Sequence, residues 1–211
     1  DFTLTATGSL TITGIEGAAA VTNAAVSAGT YLLTESGAAT ANYTQGAWSC
    51  TAGTLTGNSL VLANGQSASC TITNNDRPRL TLLKTVINDS GGVALDTAFT
   101  LSATGPVNRS GIEGAPAVTN TNVDAGTYAL TESSLAGYTS GAWSCVGGTL
   151  TGSSLVLTQA ENASCTVTND DQPSTLTLLK TTVNDNGGTN VDTDFTLTAT
   201  GSLTITGIEG A

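Results

Sequence analysis

The chain holds two lysines, Lys84 and Lys180, and both stand at the end of the same pentapeptide, LTLLK. Surface lysines spread for solubility would not share one motif. Counting by twos along an extended strand places Leu80, Leu82 and Lys84 on one face. The same count groups Tyr128, Leu130 and Glu132 in YALTE, and Cys165, Val167 and Asn169 in CTVTN. An amine, a carboxyl and a carboxamide therefore share the core-facing phase of three strands, and polar groups buried together need one another as partners. The plainest chemistry is an ion pair between Lys84 and Glu132, with Asn169 opening the TNDD turn. The second chemistry is thiol oxidation. Cys50 with Cys70 and Cys145 with Cys165 keep equal spacing, which fits one disulfide per repeat in an oxidising compartment. A zinc site is the rival use, but each pair offers two ligands and no His accompanies them.

These residues are positioned by a tandem repeat. Residues 1–18, DFTLTATGSLTITGIEGA, recur letter for letter at 194–211, and Phe2, Phe99 and Phe195 mark the period, as do Trp48 with Trp143 and Tyr31 with Tyr128. A unit of this length is long enough for a small domain with its own core, unlike the shorter turn of a solenoid. The expected division is a first repeat over 1–75 without its N-terminal strand, a complete second repeat over 76–171, and the first strands of a third over 172–211. Within the second repeat LTLLKTV, FTLSATG, TYALTES, SLVLT and ASCTVTN alternate apolar and polar residues between Gly, Asn, Asp and Ser, and no stretch carries a helical stripe. GTLTGSSLVL reads as a hairpin about Gly152 and Ser153. About seven short strands in such a unit predict an all-β fold, an immunoglobulin-like or prealbumin-like antiparallel sandwich repeated end to end. TNNDRPRLTL and TNDDQPSTLTL between repeats read as spacers of about five residues.

Composition excludes several functions. Charged residues make up 10% of the chain, the net charge is −11, and there is no His. Nucleic acid and anionic membrane surfaces both demand clustered cations, and the commonest general base and metal ligand is missing. No run approaches the roughly 20 apolar residues of a membrane span. Export and anchoring signals are expected outside this segment, and the protein is read as extracellular.

The ordered set Lys84 in LTLLK, Glu132 in YALTES and Asn169 in CTVTND resembles the prealbumin-like repeat domains of bacterial surface adhesins and pilins, related to the collagen-adhesin B-type stalk modules. The resemblance covers the second repeat and continues into its neighbours. It implies an intramolecular isopeptide bond between Lys84 and Asn169, with Glu132 as proton shuttle and polariser of the carboxamide. A desolvated amine gives up its proton more readily and so becomes a nucleophile. No cofactor is implied, and the event would occur once per domain without turnover.

The first repeat carries Glu35 and Asn74 at the matching positions, and 172–193 carries Lys180. Two readings stay open. Lys180 of one chain could meet Glu35 and Asn74 of the next by donor-strand addition, giving a head-to-tail fibre, or the segment is a window on a longer continuous array. Other motifs are weaker. NDSGG and NDNGG, with Asp89 or Asp185 and one further carboxylate nearby, lack the ligand count of a calcium site, so no metal is expected. Trp48 and Trp143 in GAWSC are read as core packing against the disulfides in preference to sugar stacking. Asn42, Asn88, Asn108 and Asn162 head Asn-x-Ser/Thr triplets, which makes them glycosylation candidates. A structural stalk or fibre segment is the leading function, an adhesive module for carbohydrate or extracellular matrix the alternative, and an enzyme the least supported, since no nucleophile–base pair or metal set is present.

Overall fold

Alternation along the chain becomes two facing sheets in the second repeat. The computed structural model describes residues 2–37 and 42–209. Strand Arg79–Ile87 lies between Thr121–Asn122 and Asn162–Asp171, and the far side of Asn162–Asp171 carries Tyr138–Ser140 and Ser144–Val146. The opposing sheet runs Arg109–Gly111, Leu101–Thr104, Gly126–Glu132, Ser154–Leu157, Thr149–Thr151. All pairings are antiparallel except that of Arg79–Ile87 with Asn162–Asp171, which is parallel over nine residue pairs, among them Lys84 opposite Val167 and Val86 opposite Asn169. The first and last strands of the domain are thereby zipped together. The hairpin at Gly152 forms as expected, with φ of 61° at that glycine.

Every second residue of the long strands points inward. Leu80, Leu82, Leu101, Ala103, Val118, Val123, Tyr128, Leu130, Leu155, Leu157, Ala163, Cys165 and Val167 form one core. Tyr128 is anchored at its polar end, donating its hydroxyl hydrogen to Asp124 O at 2.7 Å, and Tyr31 repeats the device with Ser27 O.

The first repeat shows the same opposing sheet, Ile12–Gly14, Thr3–Thr7, Gly29–Ser36, Ser59–Leu62, Thr54–Thr56. Its other face is two separate pairs, Tyr43–Gln45 with Asn74–Asp76 and Ser49–Cys50 with Cys70–Thr71. The buried apolar set there shrinks to Tyr31, Leu33, Trp48 and Leu60, with Leu62, Ala68, Cys70 and Ile72 half-exposed where Leu157, Ala163, Cys165 and Val167 are buried.

The junction between the two repeats is tighter than the spacer expected from sequence. Only Arg77 and Pro78 separate strand Asn74–Asp76 from strand Arg79–Ile87. The reason is pairing: Asn74, Asn75 and Asp76 join the ladder with Gln45, Thr44 and Tyr43, which draws polar residues that read as linker into the sheet. Backbone bonds from Ala160 N to Asp76 O and from Arg79 N to Glu161 O then hold the joint. Residues 172–211 form a separate unit, and among its described residues are one hairpin, Leu197–Ala199 with Ile205–Gly207, and a single helical turn at Asp192–Asp194.

Candidate functional site

Strand Arg79–Ile87 delivers Lys84 into the core directly after Leu80 and Leu82, so the ammonium group arrives on an apolar face with 3% of the residue exposed. Glu132 ends strand Gly126–Glu132 on the facing sheet and brings Oε2 to 2.9 Å from Lys84 Nζ, with the two side chains 0% and 8% exposed. Phe99 places its ring 4.4 Å from Nζ, and Val167 O lies 3.5 Å away as a weak acceptor. Asn169, 2% exposed, sits on the parallel neighbour two residues beyond Val167, the residue opposite Lys84. Core-facing phase thus brings amine, carboxyl and carboxamide to the same end of the sandwich.

The polar atoms are incompletely paired. Both Glu132 oxygens and Asn169 Oδ1 are buried without a hydrogen bond, so the carboxyl contact with Nζ is close but misaligned. A buried ion pair of this kind seldom stabilises more than an apolar substitute, and each orphaned acceptor carries a desolvation cost. The same geometry supports chemistry. It sets a carboxyl group, the side chain that relays protons in general acid–base chemistry, within contact distance of the amine.

Sequence reasoning missed two parts of this end of the domain. Phe99 covers Lys84 and stacks edge-on against Tyr138 with ring centroids 5.9 Å apart; its recurrence with Phe2 and Phe195 was the available signal. Asp171 was the other omission. Its carboxylate accepts backbone N–H groups from Asp89, Ser90 and Gly92, locking the NDSGG loop over the strand end. A side chain on residue 92 would put its Cβ 2.8 Å from Asp171 Cβ, so only glycine fits. Burial pushes the Asp171 carboxyl up, but the N–H groups of Gly92, Ser90 and Asp89 outweigh it and hold it below the ordinary carboxylate range. Asp89, Asp170 and Asp171 bring oxygens within 4.8 Å of one another. That is one carboxylate more than the turn motif suggested, because the last strand ends beside the loop. Asp171 is already engaged by the amides.

In the first repeat Asn74 Nδ2 donates to Glu35 Oε1, while Glu35 Oε2 and Asn74 Oδ1 are buried without partners. They line a cleft of about 500 Å³ with Tyr43, Thr44, Gln45 and Arg77. Lys180, in the separate C-terminal unit, donates from Nζ to Thr181 O at 3.0 Å and lies 4.6 Å from the Phe195 ring centroid.

Both disulfides form, Cys50–Cys70 and Cys145–Cys165, each across directly paired positions of neighbouring strands. Trp48 is buried and Trp143 half-buried against the core, as packing required. The four glycosylation candidates are exposed. Asn42 Oδ1 accepts from Asn122 Nδ2, Asn108 Oδ1 accepts from Gly105 N, and Asn162 lies at the start of the last strand. Asn88 is the most committed: its Nδ2 donates to Ala94 O and its Oδ1 accepts from Tyr138 Oη.

No helix among the described residues is long and apolar enough to cross a membrane. No curated protein and no solved structure matches the chain. A family model for the SpaA-type prealbumin-like fold domain matches residues 1–72, 76–167 and 171–211, in keeping with the paired antiparallel sheets and the repeat period. With nearly its whole length matched, the chain belongs to the SpaA-type prealbumin-like fold domain family.

Proposed function

We propose that this chain is a load-bearing stalk segment of an extracellular bacterial surface filament, in which each complete domain is closed by a disulfide and by an isopeptide bond. Membership of a family typical of surface pilins and adhesins supports the stalk role. The observation that carries the crosslink is the buried contact of Lys84 with Glu132, alongside a buried Asn169 whose carbonyl oxygen has no partner. Glu132 takes a proton from Lys84 Nζ, and the neutral amine attacks Asn169 Cγ. The Nζ–Cγ bond forms, Glu132 gives that proton to Nδ2 and takes the second proton from Nζ, and the Cγ–Nδ2 bond breaks so that the nitrogen leaves as ammonia and Glu132 remains protonated. The bond would join the first and last strands, so tension would run from one to the other without opening the sheets between them.

The near-copy repeats favour a scaffold over an adhesive surface, since a binding site would have to differ from its neighbours. Intact mass of the reduced full chain tests the crosslink. A mass lower by one ammonia, restored by Lys84→Ala, Asn169→Ala or Glu132→Ala, is expected. A full-length mass without that deficit overturns it.

A further inference from the structure

All three arginines of the chain gather about one segment at the joint between the first and second domains, residues 120–124. Arg79 Nη1 donates to Asn120 O at 3.4 Å, Arg109 Nη2 to Asn122 O at 2.6 Å, and Arg77 Nε lies 3.4 Å from Asp124 Oδ1. That segment reaches back across the joint, where Asn122 Nδ2 donates to Asn42 Oδ1 at 2.7 Å. The linking residues have little freedom of their own. The ring of buried Pro78 fixes its φ, and Arg77, as the residue before a proline, is kept from helical backbone. Arg77 N donates to Asn42 O in the first domain, while Pro78 O accepts from Val123 N in the second, each at 2.9 Å. A separate segment adds another tie, from Ala160 N to Asp76 O at 3.0 Å. Ala160 holds a φ of 62°, the left-handed conformation that Gly65 adopts at the matching position, and an alanine keeps it only where its surroundings hold it there.

The side chains that tie this joint are not shared by the other repeats. Ala25 and Ser27 stand where the second domain has Asn122 and Asp124, Ile12 and Ile205 where it has Arg109, and Gln172 at the place of Arg77. The domain itself does not call for the difference. Tyr31 and Tyr128 are anchored by the backbone oxygens of Ser27 and Asp124, so the side chain at that position is left free to serve the joint. We infer that the end of the second domain built from 120–124 and Ala160 is a docking surface fitted to the first domain, and that the two domains move as one rigid body. The first domain supplies the carboxamide of Asn42 and the carbonyl of Asp76, and the linker supplies the guanidinium of Arg77. The half-exposed Arg77–Asp124 pair orients the domains more than it stabilises them, and the hydrogen bonds on two separate segments resist bending. Rigidity at this joint does not depend on the isopeptide crosslink, because none of its ties involves Lys84, Glu132 or Asn169.

Residual dipolar couplings of the full chain in a dilute aligning medium test this, since each rigid body reports a single alignment tensor. One tensor is expected to fit the amides of both domains in the unaltered chain. Two are expected in Asn122→Ala/Asp124→Ser, which gives the second domain the residues of the first repeat at both positions. Unchanged amide shifts at Leu82 and Leu130 verify that the variant's core is folded. Arg77→Gln, which introduces the residue found at the next junction, leaves the second domain untouched and should likewise split the tensor. Two tensors in the unaltered chain overturn the inference. A single tensor kept by both variants overturns the fitted surface, because the backbone bonds would then hold the joint by themselves. The mass of the crosslinked domain is read separately, so failure of the isopeptide reading is seen apart from failure of the joint.

Discussion

Removing a disulfide separates two physical accounts of what holds these domains. In the second domain Cys145 and Cys165 are 20 residues apart, and so are Cys50 and Cys70 in the first. If the bond acts by restricting the unfolded chain, closing such a loop removes about 11 cal/mol/K, or about 3.3 kcal/mol near room temperature. Cys145→Ala/Cys165→Ala and Cys50→Ala/Cys70→Ala should then cost the same. If native packing dominates, the second domain should suffer more, because Cys165 is fully buried in a thirteen-residue core whereas Cys70 is half-exposed against a smaller cluster. Urea unfolding followed by tryptophan fluorescence reads each case, since Trp48 and Trp143 each stand two residues before a bridged cysteine. With a slope of about 1 kcal/mol per molar urea, a loss of about 3 kcal/mol lowers the midpoint by about 3 M. We expect near-equal losses. A cost under about 1 kcal/mol in the first domain together with a full loss in the second would refute the chain-entropy argument.

Two further outcomes follow from the same geometry. Leu80→Ala should destabilise the second domain by about 2–5 kcal/mol, whereas Leu176→Ala at the same repeat position, 61% exposed, should be nearly neutral, as thermal unfolding will show. Asp171 has a lowered folded pKa, so its contribution is present above the ordinary carboxylate range and lost as pH falls below about 4 through the folded value. Asp171→Asn should flatten that acid limb in unfolding midpoints measured against pH.

Much of this protein was legible in its residues. Period-two alternation in LTLLKTV, TYALTES and ASCTVTN determined which side chains face inward, because successive residues of a strand alternate faces whatever the partner strand is. That rule carried Lys84, Glu132 and Asn169 to one interior, and equal spacing within each repeat paired the cysteines. Alternation says nothing about neighbours across a ladder. Only the tertiary structure decided that the first and last strands run parallel, that Phe99 covers the amine, and that Asp171 closes over the NDSGG loop through backbone amides. The parallel ladder and the Asp171 contacts join residues about eighty positions apart. Polar residues such as Asn74 and Asp76 read locally as linker and became strand because a partner edge was there to receive them. Local sequence chooses the face of a strand; closure of the sheet, which satisfies backbone donors and acceptors over long separations, chooses its company.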